Sequence, residues 1–392
     1  MRRNRRISRR LTAVAVSAAA AAVVVSPAGA GDALAAARAC FDRAKSPYTS
    51  VVDSHLHFRP FGGRAIPFEE VTDYLHKSGV HYANIFGIGQ VLPADSDCAY
   101  YLDCPGTPVR PRLRNDFVNA ESLRENRPED PNLTLSMTFM DLHHPETVPD
   151  GVALLDHEFP GMFRWAGEVN VVKQALFPNL AEPATSEDIP NWAPFMNVYR
   201  ERGLPITFHS DLGNDAEPTK YLHLMEEILA QYPDNKIVWA HMGLSKELAH
   251  MDPDEHIRIL ERLLDAHPNL TVDLSWRVLE DLYFSQPGYR EKYAAFLDRH
   301  PTRAITGTDF VASRAKDYSV YEQELEVTSR INRSLGDEAF RDIALGQNYF
   351  RLLGMKDAAP RVCRSRAHPH VAVEQASAGA VPAAIGTDVD ED

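Results

Sequence analysis

Residues 51–57 read Val51-Val52-Asp53-Ser54-His55-Leu56-His57, a β-branched start that runs into two histidines two positions apart. Side chains two apart on a strand leave the same face, so His55 and His57 point one way together. Two imidazoles at the end of a strand suit one divalent ion. Alone the pair is weak evidence, because ordinary core packing produces the same spacing. Its weight comes from what accompanies it along the chain.

Outward from this stretch, short apolar runs alternate with amphipathic segments between Thr49 and Leu353. Eight runs read as strands: Ser50–His55, Tyr82–Gly87, Leu133–Met140, Phe163–Val172, Pro205–His209, Ile237–His241, Leu270–Ser275 and Ala304–Thr308. Several are almost continuously hydrophobic, as expected of strands covered on both faces. Helical spacing fills the gaps: Leu222, Met225 and Leu229 form a stripe in Lys220–Gln231, and Ile257, Leu260 and Leu264 form another in Asp254–Ala266. Pro233 and Pro268 stop these helices, and a last helix over Asp337–Leu353 is expected to cover the closing seam. Eight βα repeats predict one α/β domain, a (β/α)8 TIM barrel spanning 31–357. The long connection 92–132, rich in Pro, Arg and Asp, is expected to cap the mouth of that barrel.

Further candidate ligands fall at strand ends, which is where barrel enzymes gather their chemistry. His209 closes Ile206-Thr207-Phe208, His241 closes Ile237–Ala240, and Asp309 follows Ile305–Thr308. A core histidine is satisfied by one backbone carbonyl, but four histidines and an aspartate at strand ends point together to a metal. With His55 and His57 at strand one, His209 at strand five, Ala240-His241-Met242-Gly243 at strand six and Gly307-Thr308-Asp309 at strand eight, the chain resembles the amidohydrolase superfamily. The likeness, over about Val51 to Leu353, is to the amidohydrolase-2 or aminocarboxymuconate-semialdehyde-decarboxylase-like branch.

The resemblance implies a metal-dependent hydrolase in which His55, His57, His209 and Asp309 bind or touch the metal. His241 is then either a ligand of a second ion or a polariser of substrate. At strand four, Ala166-Gly167-Glu168-Val169 resembles members with a bridging glutamate, while Lys173 stands as a candidate for the carboxylated lysine of others. Five positions apart on a regular strand, the two would face opposite sides. Glu168 is the favoured ligand, with Lys173 in a salt bridge or on substrate; the competing reading makes Glu168 a buried partner for Arg164. The cofactor expected is one or two divalent ions, zinc first for a histidine-rich set, with manganese and iron as alternatives. Asp309 is the expected proton shuttle and His241 the hydrogen-bond donor to the substrate oxygen. His143 and His144 after strand three, Asp273, Trp276 and Arg277 after strand seven, and Arg110, Arg112 and Arg114 in the capping connection are weaker candidates for the pocket.

Three functions compete: hydrolysis of a C–N or C–O bond in a small amide, lactone or ester; decarboxylation of an aromatic or unsaturated carboxylic acid; and a non-catalytic barrel that only binds. Two ions bridged by Glu168 favour the first, and one ion without a strand-four ligand the second.

Composition limits the partners. The chain has 392 residues, 44% hydrophobic and 24% charged, ordinary for a folded protein. Residues 1–30 read as a signal peptide: Arg2, Arg3, Arg5, Arg6, Arg9 and Arg10, then the apolar stretch Leu11–Val25, then Ala28 and Ala30 for cleavage. That stretch is too short to span a membrane. Export to the cell envelope or beyond is expected, with Ser8-Arg9-Arg10 resembling a twin-arginine start. Cleavage removes six arginines and no acid, so the formal charge moves from −14 to −20. A chain so acidic is repelled by nucleic acid and anionic membrane, while the balance says little about a small substrate; the partner expected is a small molecule, and homo-oligomerisation stays open. Four cysteines in an exported chain read as disulfides: of three connectivities, Cys98 with Cys104 is the easiest, Cys40 and Cys363 would then tie the two ends of the domain, and four unpaired thiols are the competing reading. Residues 358–392, poor in large apolar side chains and ending in Asp388, Asp390, Glu391 and Asp392, read as a disordered tail in which His368-Pro369-His370 is solvated.

Overall fold

Eight strands carry the fold: β1 Val52–His57, β2 Tyr82–Phe86, β3 Asn132–Met137, β4 Phe163–Val172, β5 Pro205–Ser210, β6 Lys236–Trp239, β7 Leu270–Asp273 and β8 Ala304–Ile305. A two-residue strand β9, Phe310–Val311, follows β8. These come from a computed structural model that describes residues 40–45, 50–98, 100–101 and 104–363. The signal peptide expected at 1–30, the tail beyond Cys363 and the His368-Pro369-His370 cluster lie outside the described residues.

The sheet runs β8-β7-β6-β5-β4-β3-β2-β1-β9, and each neighbouring pair is parallel. Its two ends belong to one segment, because β9 continues β8 after a few residues. Between them Ser54 N donates to Thr306 O at 3.0 Å and Asp309 N to His55 O at 2.7 Å. The segment 304–311 therefore pairs with β7 on one side and β1 on the other, and the ring closes as a (β/α)8 barrel. All six residues of β1 are buried, which is why its sequence lacks a polar-apolar alternation.

Helices cover the outside: α1 Phe68–Lys77, α2 Arg114–Glu125, α3 Val148–Glu158, α4 Ala193–Arg202, α5 Leu222–Gln231, α6 Pro253–Ala266, α7 Tyr289–Arg299, α8 Tyr318–Ser329, α9 Asp337–Ile343 and α10 Gln347–Leu353. The start of α6 shows how sequence sets a boundary: the Asp252 carboxylate accepts from Asp254 N and Glu255 N, both at 3.0 Å, and Pro253 fills the first helical position. Its stripe of Ile257, Leu260 and Leu264 is buried against the barrel.

Three sequence expectations need correction. The final helix is two, because Gly346 sits at φ +85° and a Cβ there would lie 2.3 Å from Val52 Cγ2. Only glycine lets the chain approach β1 so closely while turning through the left-handed region. The connection 92–132 is not all cap, since it contains the barrel helix α2. The cap proper is a hairpin pairing Gln90–Val91 with Arg110–Pro111. It is stapled by Cys98–Cys104 and built round a small core of Phe61, Ile88, Val91, Leu92, Tyr101 and Val109. Asn179 Nδ2 holds it to the segment after β4 by donating to Tyr101 O and Cys104 O, both at 3.0 Å. Finally, order extends past the expected boundary at 357: Phe41 and Val362 form a parallel bridge, next to the expected Cys40–Cys363 disulfide. No helix among the described residues is long and apolar enough to cross a membrane.

Candidate metal centre

At the C-terminal ends of the strands the six expected ligands converge. His57 Nε2 lies 3.1 Å from Asp309 Oδ1 and 3.6 Å from Glu168 Oε2. His55 Nε2 lies 3.4 Å from Asp309 Oδ1 and 3.9 Å from Glu168 Oε2. His241 Nε2 faces Glu168 Oε1 and Asp309 Oδ2, each at 3.8 Å. His209 Nδ1 contacts Glu168 Oε1 directly. All four histidines are almost wholly buried.

The far nitrogen of each ring decides what the near one can do. His57 Nδ1 is 2.7 Å from Gly87 O, His55 Nδ1 2.7 Å from Asp273 Oδ2, and His241 Nδ1 3.1 Å from Ser275 O. Carbonyl and carboxylate oxygens only accept, so Nδ1 carries the proton in each case and neutral Nε2 presents a lone pair to the centre. His55 Nε2 and His241 Nε2 are buried there with no hydrogen-bond partner. His209 is turned the other way: Asp211 Oδ1 lies 2.9 Å from its Nε2, leaving Nδ1 for Glu168. Lone pairs that face carboxylates around one point are stable only with a cation among them. The residue set thus fits a divalent metal, and three overlapping groups, His55–His57–Glu168, His55–His241–Asp309 and Glu168–His209–His241, have ligand atoms close enough to share one.

The charge distribution agrees. Burial pushes the His55 imidazole down, but the Asp273, Asp309 and Glu168 carboxylates outweigh it and hold the ring up at about 9. Burial pushes the Glu168 carboxyl up, yet Lys173 and His209 bring it well below the carboxylate range. Asp309 is likewise held down, against its burial, by His57, His55 and His241. The carboxylate field that would otherwise draw a second proton onto His55 favours a metal cation at the same place, with Nε2 then free to donate its lone pair.

Local backbone explains how the strands deliver these groups. At Gly167 φ is +87°, and a Cβ there would lie 2.1 Å from Thr207 O, so only glycine lets β4 press against β5 just before Glu168. His241 (φ 54°), Trp276 (φ 75°) and Asp309 (φ 59°) are non-glycine residues in the left-handed region. That costs on the order of 1–3 kcal/mol each and is found where surrounding structure imposes it, typically at functional sites. His241 therefore sits in a turn just beyond β6 and not within the run Ile237–His241, while Asp309 lies beyond β8, after the run Ala304–Thr308 as expected.

Glu168 and Lys173 do not face opposite sides. Register shifts between Ala166 and Val169 and between Asn170 and Val172 break the alternation of β4, and Lys173 Nζ ends 3.5 Å from Glu168 Oε1. Arg164 is not the partner of Glu168; it donates to Leu353 O at 2.7 Å on the other end of the barrel. Burial lowers the Lys173 ammonium's pKa, but Glu168 and Asp309 raise it further, so the amine stays protonated.

The open side of the centre is a cavity of about 270 Å³ walled by Phe61, Tyr101, Lys173, Gln174, Lys246 and Trp276. Trp276 of the weaker candidates is there. Asp273 instead holds His55, and Arg277 pairs with Asp281 and Glu324. His143 and His144 are exposed and outside this cavity, as are Arg110, Arg112 and Arg114. Asp211 and Gln174 were missed: Gln174 N and Nε2 donate to Asp211 Oδ2 at 2.8 and 3.3 Å, which fixes the carboxylate that turns His209. The spacing His209-Ser210-Asp211 carried that signal, since residues two apart share a strand face.

Residues 52–346 match the amidohydrolase family. The chain belongs to that family. It is an enzyme of the metal-dependent hydrolase kind. No curated protein matches this amidohydrolase in sequence. Among solved structures it is similar to an amidohydrolase from Burkholderia multivorans with bound zinc, at 14% identity and a TM-score of 0.49, over 78% of this chain and 99% of that one. It is also similar to dihydroorotase from Saccharomyces cerevisiae in complex with 5-fluoroorotic acid, at 13% identity and a TM-score of 0.46, over 79% and 85%. Dihydropyrimidinase from Brevibacillus agri gives 11%, 0.48, and 81% and 73%.

Proposed function

We propose that this amidohydrolase is an exported enzyme that hydrolyses a C–N or C–O bond of a small amide, lactone or ester at a centre for two divalent ions, zinc by preference. One observation carries the reading: the two carboxylate oxygens of Glu168 face different histidine pairs, Oε2 towards His55 and His57 and Oε1 towards His209 and His241. His55, His57, Glu168 and Asp309 would hold one ion, and Glu168, His209 and His241 the other. Four imidazoles with two carboxylates suit zinc.

Such ions supply a Lewis acid for the substrate carbonyl and a water acidic enough to attack near neutral pH. The protein's own groups do the rest. Asp309, kept ionised, accepts the proton of the attacking water and returns it to the departing nitrogen or oxygen. Asp273, Gly87 and Asp211 lock the rings of His55, His57 and His209, so none reorients during turnover. Lys173, beside Glu168, contributes positive charge to the cavity. Phe61, Tyr101 and Trp276 exclude water from the mouth. Export is supported by both disulfides, which belong to oxidising compartments.

Elemental analysis of the purified mature chain tests the proposal. Two ions per chain are expected, falling to one or fewer in Glu168→Gln. A single ion indifferent to that substitution would support decarboxylation instead, and a chain without metal a binding protein.

A further inference from the structure

Beside the metal centre lies a second cavity, of about 350 Å³, between the loop after β1, the cap and the start of α2. Arg59 and Arg114 both line it, and their guanidinium groups repel one another. Arg59 is partly buried and Arg114 exposed, so solvent reaches the pair, and two like charges at one pocket favour an anion between them. No acidic group among the described residues pairs with them. Arg59 Nε and Nη2 donate only to the neutral Asn119 Oδ1 and Ser122 Oγ, at 3.3 and 3.2 Å. Among the described residues neither arginine forms an ion pair, although Asp97 is in the lining. The first turn of α2, twelve residues long and without a side-chain cap, adds its unpaired backbone N–H groups on the same side.

We infer that the Arg59–Arg114 pocket is a binding site for a small molecule bearing a carboxylate or phosphate group, distinct from the metal centre and separated from it by Phe61. Phe61 lines both cavities. Two planar guanidinium groups suit an oxyanion, which accepts paired N–H bonds from each. The disulfide Cys98–Cys104 fixes the cap wall, to which Cys98 belongs.

The test is calorimetric titration of the mature, metal-loaded protein with inorganic phosphate and, separately, with succinate, at constant ionic strength. Saturable binding of at least one is expected, and the tighter probe identifies the class. Arg59→Gln and Arg114→Gln should each weaken it by about tenfold or more. Arg114→Lys, which keeps charge and loses the fork, should fall between. Arg114 makes no hydrogen bond among the described residues, so Arg114→Gln tests the site without threatening the fold. Absence of saturable binding overturns the inference. So does binding that both glutamine variants leave within twofold, because such an anion sits on the metals.

Discussion

His57 has only one ring nitrogen left for the centre. Its Nδ1 proton is committed to Gly87 O, so its Nε2 needs either a proton or a metal between itself and Asp309. His55→Ala combined with His57→Ala should leave a folded chain with essentially no bound metal; stoichiometric metal in that variant would sink the ligand assignment. Asp309→Asn preserves size and loses the ability to take up a proton. Turnover should fall by roughly 10²–10⁴, with the melting temperature little changed, and a fall of less than tenfold would remove Asp309 from proton transfer. At this scale the sequence was legible where strand period and strand ends coincide, as for His55, His57 and His209. It misled at Lys173, because the bulges that bring it to Glu168 depend on the pressing of β4 against β5, which no local pattern encodes. It was silent on Gln174, whose role exists only through Asp211.

Among the elements, α6 supports the centre from outside. His256 is fully buried between Tyr293 of α7, whose hydroxyl is 2.8 Å from Nδ1, and Met242 O, 3.0 Å from Nε2. Met242 adjoins His241, so this histidine steadies the turn that delivers a proposed ligand. Burial, partly opposed by the Met242 carbonyl, brings its pKa from 6.5 down to about 4. The ring is therefore neutral in the folded protein wherever an unfolded chain would begin to protonate. Its contribution is intact above pH 6.5 and disappears as pH falls towards 4, an acid loss of about 3 kcal/mol. His256→Gln keeps both hydrogen-bonding roles without titrating, so melting temperature should fall less steeply between pH 6.5 and 4 than in the parent; parallel curves would refute this. Helix faces such as the α6 stripe were readable because burial of one face imposes a 3.6-residue period. The break at Gly346 was not, since its cause is Val52, nearly three hundred residues away in the chain.

For the molecule as a whole, the eight-unit repeat was legible because parallel strands covered on both sides need apolar runs and intervening helices. The cap, by contrast, looked like one long irregular stretch, since its short hairpin depends on a disulfide and on Asn179. The other disulfide, Cys40–Cys363, closes a loop of 323 residues, and by chain-entropy reasoning is worth about 6 kcal/mol. Cys40→Ser with Cys363→Ser should lower the melting temperature well below that of Cys98→Ser with Cys104→Ser; equal effects would mean the clasp adds little. Phe41 sits by Val51, Tyr82 and Asn132, where the first strands begin, so the clasp lies on the face opposite the metal centre. With Cα atoms only 4.8 Å apart, residues 40 and 363 make a ring with no privileged starting point. A short peptide joining them would let the chain be opened between other βα units, and a support attached there would hold the enzyme with its mouth facing solution.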